Sequence, residues 1–132
     1  MTREEFIEML EEKEYSYYTI EGDKIVINRN GPVFLAAPTS LPPDVEFRNA
    51  GYVDLASVTS LPSGVKFNNW DYVDLASVTS IHPNVEFNGG GEVYLKSLIG
   101  KAKAFRTWKG NIYGIDSNRL LNKMIKDGLF EK

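Results

Sequence analysis

Residues 53 to 72, VDLASVTSLPSGVKFNNWDY, are followed at once by residues 73 to 92, VDLASVTSIHPNVEFNGGGE. The first eight letters repeat unchanged and the remainder repeats in pattern. Self-similarity at a fixed period marks a repeat array, in which each unit buries its apolar face only against its neighbours. Steps of twenty give the apolar columns. One column runs Val33, Val53, Val73, Val93, Tyr113, and a second runs Leu35, Leu55, Leu75, Leu95, Ile115. A third runs Ile25, Val45, Val65, Val85, Phe105, and a fourth runs Ile27, Phe47, Phe67, Phe87 before failing at Thr107. Leu41, Leu61 and Ile81 form a fifth. The array therefore spans residues 25–116, about four coils with a degenerate last one.

Each coil holds two apolar alternations, V-x-L and V-x-F, which predict very short strands with one face in and one face out. Between them lies T-S-L-P or a relative, with Pro42, Pro62 or Pro83 predicting a turn. The other corner is rich in Asn and Gly, residues that accept sharp corners. Stacked coils place equivalent residues about 4.8 Å apart in parallel ladders. On the outward columns this register predicts alternating charge along Glu46, Lys66 and Glu86, and an amide ladder of Asn49 and Asn69.

Open solenoid ends need covers. Residues 1–24 supply one. Thr2-Arg3-Glu4-Glu5 is a capping box, Phe6, Ile7, Met9 and Leu10 give an amphipathic helix, and Tyr17 to Ile27 reads as a hairpin around Glu21-Gly22-Asp23. Residues 117–132 supply the other, a helix with Ser117 as N-cap, Leu120, Leu121, Met124 and Ile125 as its apolar face, and Gly128 as its stop. The expected fold is one domain, mainly β with α caps: a short parallel β-solenoid of twenty-residue leucine-rich-repeat-like coils.

Net charge is −3 and unevenly spread. Residues 1–32 carry four basic and eight acidic groups, residues 33–92 two and seven, residues 93–132 nine and three. An acidic body and a basic end are a signal of partners. The chain has no cysteine, which excludes disulfides, thiolate metal sites and cysteine nucleophiles and fits a reducing compartment. No apolar run is long enough to span a membrane, and MTREEFIEML lacks the pattern of a signal peptide, so a cytoplasmic protein is expected.

The string LASVTSLPSGVKFNNWDYVDL resembles the twenty-residue, leucine-rich-repeat-like units of small bacteriophage and prophage proteins. The tail GNIYGIDSNRLLNKMIKDGLF, residues 110 to 130, is similar to the cap that closes those arrays, so the resemblance covers residues 33 to 130. The usual leucine-rich pattern LxxLxLxxN is not met, because Val58, Leu61, Val65 and Phe67 are spaced differently. What the resemblance implies is a binding scaffold from a mobile element, acting in the host cytoplasm as an inhibitor of a host factor, for instance an anti-CRISPR or other anti-defence protein. It brings no catalytic residues.

Three groups of residues are left over by the scaffold. On the outer face of the V-x-L strands, one column holds Tyr52, Tyr72 and Glu92, and the adjoining one Phe34, Asp54, Asp74 and Tyr94. Neighbouring aspartates in a ladder repel, and nothing in folding asks for them. Tyrosines beside carboxylates suit a protein-binding surface; the competing reading is that they copy along with the repeat and face water. Trp70 and Asp71 stand at a corner whose equivalents, Ala50 and Gly90, show that the coil needs no tryptophan; they read as a contact anchor or as corner packing. Lys96, Lys101, Lys103, Arg106 and Lys109, interleaved with Phe105 and Trp108, read as solvated cap charges or as a nucleic-acid contact. His82 has no partner spacing, Ser57, Ser77 and Ser97 have no base column, and Gly89 to Gly91 lack a Walker lysine. A cation between Asp54 and Asp74 lacks further oxygen ligands. The expectation is a protein-binding scaffold without enzyme activity, cofactor or metal, present as a monomer or small homo-oligomer. Nucleic-acid binding through the basic end and a self-assembling structural role are the alternatives.

Overall fold

The structure, a computed structural model, describes residues 1–13, 18–35, 38–89, 93–95, 97, 122–123 and 125–127. It begins with α1 (Arg3–Glu12), started by the expected capping box: Thr2 Oγ1 accepts from the Glu5 amide at 3.1 Å, and Glu5 Oε1 accepts from the Thr2 amide at 2.9 Å. The box satisfies two amides that a helix start leaves without partners. Phe6 and Leu10 on one face of α1 are fully buried and join the core of the array. The hairpin follows, with β1 (Tyr18–Glu21) antiparallel to β2 (Lys24–Ile27) around Gly22 at φ +66°. Strand β2 then pairs in parallel with β4 (Val45–Phe47), so the hairpin converts the first edge of the array into an antiparallel one.

The coils contribute β3 (Val33–Phe34), β5 (Val53–Asp54), β6 (Ser60–Leu61), β7 (Lys66–Phe67), β8 (Val73–Asp74), β9 (Ser80–Ile81), β10 (Glu86–Phe87) and β11 (Val93–Tyr94). These stack as three sheets, β1-β2-β4-β7-β10, β11-β8-β5-β3 and β6-β9. Every parallel pairing falls at the twenty-residue step, for instance Val53 on Val73 and Phe47 on Phe67. The solenoid expected from the columns is what the chain forms. The T-S-L-P stretch differs from its reading as a turn: Ser60-Leu61 pairs with Ser80-Ile81, giving the coil a third side. Leu61 and Ile81 point inward, and the backbone around them finds its hydrogen-bond partners on the next coil.

The described members of all five apolar columns are buried, and Val58 and Val78 add another column. Phe47, Phe67 and Phe87 stack nearly parallel, with ring centroids 5.1 and 4.7 Å apart. The Asn corner is tighter than a surface ladder. Asn49 and Asn69 are buried, and their side-chain amides bond backbone rather than each other. Asn69 Nδ2 donates to the carbonyls of Gly51 (3.1 Å), Asp71 (2.9 Å) and Tyr72 (3.3 Å), and Asn49 repeats the pattern one coil earlier. Each Asn therefore ties its own corner to the coil before it.

The charge ladder is likewise only part of the story. Lys66 and Glu86 pair at 3.8 Å, but Glu46 is 3% exposed rather than outward in solvent. Its carboxylate accepts from Lys24 Nζ at 3.0 Å, from Asn68 Nδ2 at 3.0 Å and from Arg48 Nε. Burial pushes its pKa up, and these three donors overcome that and hold it at about 2.

At the far edge of the first sheet, the side chain of Asn122 acts as a strand. Its Oδ1 accepts from the Phe87 amide at 2.7 Å and its Nδ2 donates to the Phe87 carbonyl at 2.9 Å. Asn122, Lys123, Ile125 and Lys126 are helical, and Ile125 is buried in the core. Ser117, Leu120, Leu121, Met124, Gly128 and the degenerate coil of Phe105, Tyr113 and Ile115 lie outside the described residues.

Candidate functional site

The β11-β8-β5-β3 sheet points Val33, Val53, Val73 and Val93 into the core, so its period of two puts Phe34, Asp54, Asp74 and Tyr94 outside. Tyr52 and Tyr72 immediately precede β5 and β8. Their rings stack at 4.6 Å and 3° from parallel. Phe34 meets Tyr52 edge-on at 5.1 Å, and Tyr94 meets Tyr72 edge-on at 5.2 Å. The two columns thus merge into one continuous aromatic row, Phe34–Tyr52–Tyr72–Tyr94. The signal for this was present in the sequence. Where the tyrosine column loses its ring, at Pro32 and Glu92, the aspartate column gains one, at Phe34 and Tyr94. Each coil carries one aromatic on this face. Phe34 is 45% and Tyr94 37% exposed, while Tyr52 and Tyr72 are half-buried by one another.

The aspartates have a folding role that the sequence did not suggest. Asp54 Oδ1 accepts from the Ala56 amide at 3.0 Å, and Asp74 Oδ1 from the Ala76 amide at 3.1 Å. These are Asx turns that direct the chain out of each strand. One oxygen of each carboxylate is thereby tied to backbone, and the two residues still sit side by side in register. Asp71 Oδ1 accepts from the Tyr72 amide at 2.8 Å. The Tyr72 phenol is raised above its ordinary pKa, first by burial and then by Tyr52, Asp54, Asp71 and Asp74 around it. Negative charge is thus concentrated along the aromatic row.

Trp70 is 80% exposed, which removes corner packing as its explanation. Its backbone amide holds the corner through the Asn49 carbonyl at 3.3 Å, and its indole stands in solvent. His82 is a turn residue, its Nδ1 accepting from the Asn84 amide at 3.2 Å. Lys96, Lys101, Lys103, Arg106 and Lys109 lie outside the described residues, as does Glu92. Among the described residues no three His, Cys, Asp or Glu side chains come together to hold a metal ion, and no helix is long and apolar enough to cross a membrane. A small open cleft between coils is lined by Phe67, Asn69, Asp71, Val73, Phe87, Gly89 and Val93.

No family model matches the chain, and no curated protein or solved structure is similar to it.

Proposed function

We propose that the chain is a non-catalytic protein-binding scaffold whose recognition surface is the outer face of the β11-β8-β5-β3 sheet. The observation that carries the proposal is the row of one outward aromatic per coil, with Trp70 exposed at the adjoining corner. The inward columns account for the stacking of the coils, whereas the outward rings pack only on one another's flanks and stay partly exposed. Large, rigid aromatics are the side chains that dominate protein interfaces. The geometry also argues against two other ligand classes. Tyr52 and Tyr72 cover each other's faces, so neither a nucleobase nor a sugar ring can stack between them, and three nearby carboxylates repel phosphate. The resemblance to phage repeat proteins carries the rest of the reading, an inhibitor of a host factor made by a mobile element.

A photo-crosslinking aromatic amino acid placed at Tyr72 or Tyr94 is expected to trap a partner protein from an extract of the source cell. The same group at Ser60 or Ser80, on the third sheet, is expected to trap none. Crosslinks from Ser60 or Ser80 alone would move the interface away from this face.

A further inference from the structure

The coils carry only two basic residues between positions 33 and 92, Arg48 and Lys66. Both are committed to the other sheet, Arg48 to Glu46 and Glu21, and Lys66 to Glu86. Asp54, Asp71 and Asp74 therefore receive no cation from the coils that bear them. Their backbone contacts use one oxygen each, Oδ1 in all three cases. The second oxygens of Asp54 and Asp74 belong to register neighbours on strands about 4.8 Å apart. They flank an aromatic row, and Asp71 is next to an indole that is 80% exposed.

We propose that this face takes an arginine-rich segment of a protein partner. The inference rests on the reading of the face as a protein-binding surface and names the chemistry of what binds there. A guanidinium is planar, presents five donors in a fixed fork and is weakly hydrated. It can bridge the second oxygens of Asp54 and Asp74, which accept no hydrogen bond among the described residues, while lying flat along the rim of the tyrosines. A second guanidinium can stack on the Trp70 indole and pair with Asp71. An ammonium is a point charge and gains from the carboxylates alone, so lysine is the poorer occupant. The acidic coils, net −5 over residues 33–92 with seven acidic and two basic groups, add long-range attraction for a cationic chain.

The test is an amide-resolved NMR titration of the full chain with hexa-arginine, hexa-lysine and hexa-glutamate peptides at about 0.15 M salt, where screening acts over about 8 Å. Hexa-arginine is expected to shift the amides of Asp54, Ala56, Tyr72, Asp74 and Ala76, and to bind more tightly than hexa-lysine. Hexa-glutamate is expected to leave them unmoved. A triple variant, Asp54→Asn, Asp71→Asn and Asp74→Asn, keeps the oxygen that accepts each backbone amide. It is expected to weaken hexa-arginine binding about tenfold or more. A control, Glu8→Gln, Glu12→Gln and Asp23→Asn, removes the same charge from the N-terminal cap and is expected to bind within about twofold of the parent. Equal weakening in both variants would reduce the effect to bulk charge and overturn the proposal, as would shifts mapping to another face or equal affinity for lysine. Crosslinking of a partner at Tyr72 without arginine-peptide binding would sink this inference and leave the binding face standing. Crosslinking only from the third sheet would remove the face itself.

Discussion

Replacing Glu46 by glutamine isolates one buried carboxylate. The side chain is 3% exposed and accepts from Lys24, Arg48 and Asn68. Its pKa lies at about 2 against an ordinary 4.5. A carboxyl whose folded pKa is depressed stabilises the fold fully above its unfolded pKa, and that stability is lost as pH falls through the folded value. A carboxyl held at about 2 instead of 4.5 corresponds to about 3 kcal/mol at pH 7, at about 1.36 kcal/mol for each tenfold change in acidity. At pH 3 the unfolded carboxyl is protonated and the folded one is still ionised, so about 2 kcal/mol of this is gone. Glu46→Gln keeps the shape and lacks the titration. The side chains of Lys24 and Arg48, 33% and 41% exposed, can turn to water, so the variant leaves no cation stranded in the core.

Urea unfolding followed by far-UV circular dichroism measures the gap between parent and variant, since urea leaves ion pairs unscreened. With a urea slope of about 1.5 kcal/mol per molar, the variant midpoint should fall by about 2 M at pH 7. The gap should narrow by about two thirds at pH 3. Glu5 is also held below its usual range, by the Thr2 backbone amide first and then the Thr2 side chain, so some acid sensitivity remains in both proteins and cancels in the difference. A gap of the same size at pH 7 and pH 3 would refute the reasoning, because the stabilisation would then not depend on the charge of Glu46.

Three further outcomes follow from the corners and the far edge. Asn69→Leu leaves the carbonyls of Gly51 and Asp71 without their side-chain donor, and that of Tyr72 with the Val53 amide alone, and is expected to cost about 2–4 kcal/mol, whereas Trp70→Ser next to it should change stability by less than about 0.5 kcal/mol in the same urea assay. Gly51→Ala would place its Cβ 2.7 Å from the backbone of Gly31 and Pro32, which no rotamer can relieve, and should lower the melting temperature. Gly22→Ala has open space around its Cβ but φ +66°, and should cost only about 1 kcal/mol. Asn122→Ala uncaps the Phe87 amide, whose hydrogen exchange should accelerate at least about tenfold relative to the Phe67 amide in the same protein.

The register was legible because apolar columns at a step of twenty admit no other alignment: a slip of one residue would turn Val53 and Phe67 outward. What escaped was whatever depends on a neighbouring coil rather than on the repeat itself. Glu46 alternates with Val45 and Phe47 and so reads as outward, yet Lys24 from the hairpin and Arg48 and Asn68 from the corners close over it. Asn69 reads as a corner residue for its backbone, and its side chain turns out to serve three carbonyls inside the stack. Ser60-Leu61 holds a single inward residue, too short to signal a strand until a second copy lies against it. The aromatic row was half visible as two columns. It needed the structure to show that rings from adjacent columns meet at both ends of the tyrosine pair.

The aspartates separate what the fold needs from what the face offers. A turn needs only an oxygen to accept the Ala56 and Ala76 amides, and asparagine supplies one without charge. Retaining two carboxylates in register sets like charges side by side, at a cost of about 0.2–1 kcal/mol. A face kept for folding alone gains nothing from that repulsion, whereas a face kept for a cationic partner does, because stability is commonly given up where function needs charge. The double variant Asp54→Asn and Asp74→Asn should therefore unfold in urea at the same concentration as the parent or a higher one, and should bind hexa-arginine more weakly. A loss of more than about 1 kcal/mol would mean that the carboxylates are required by the corner through a charged hydrogen bond. The repeat would then explain them without any partner.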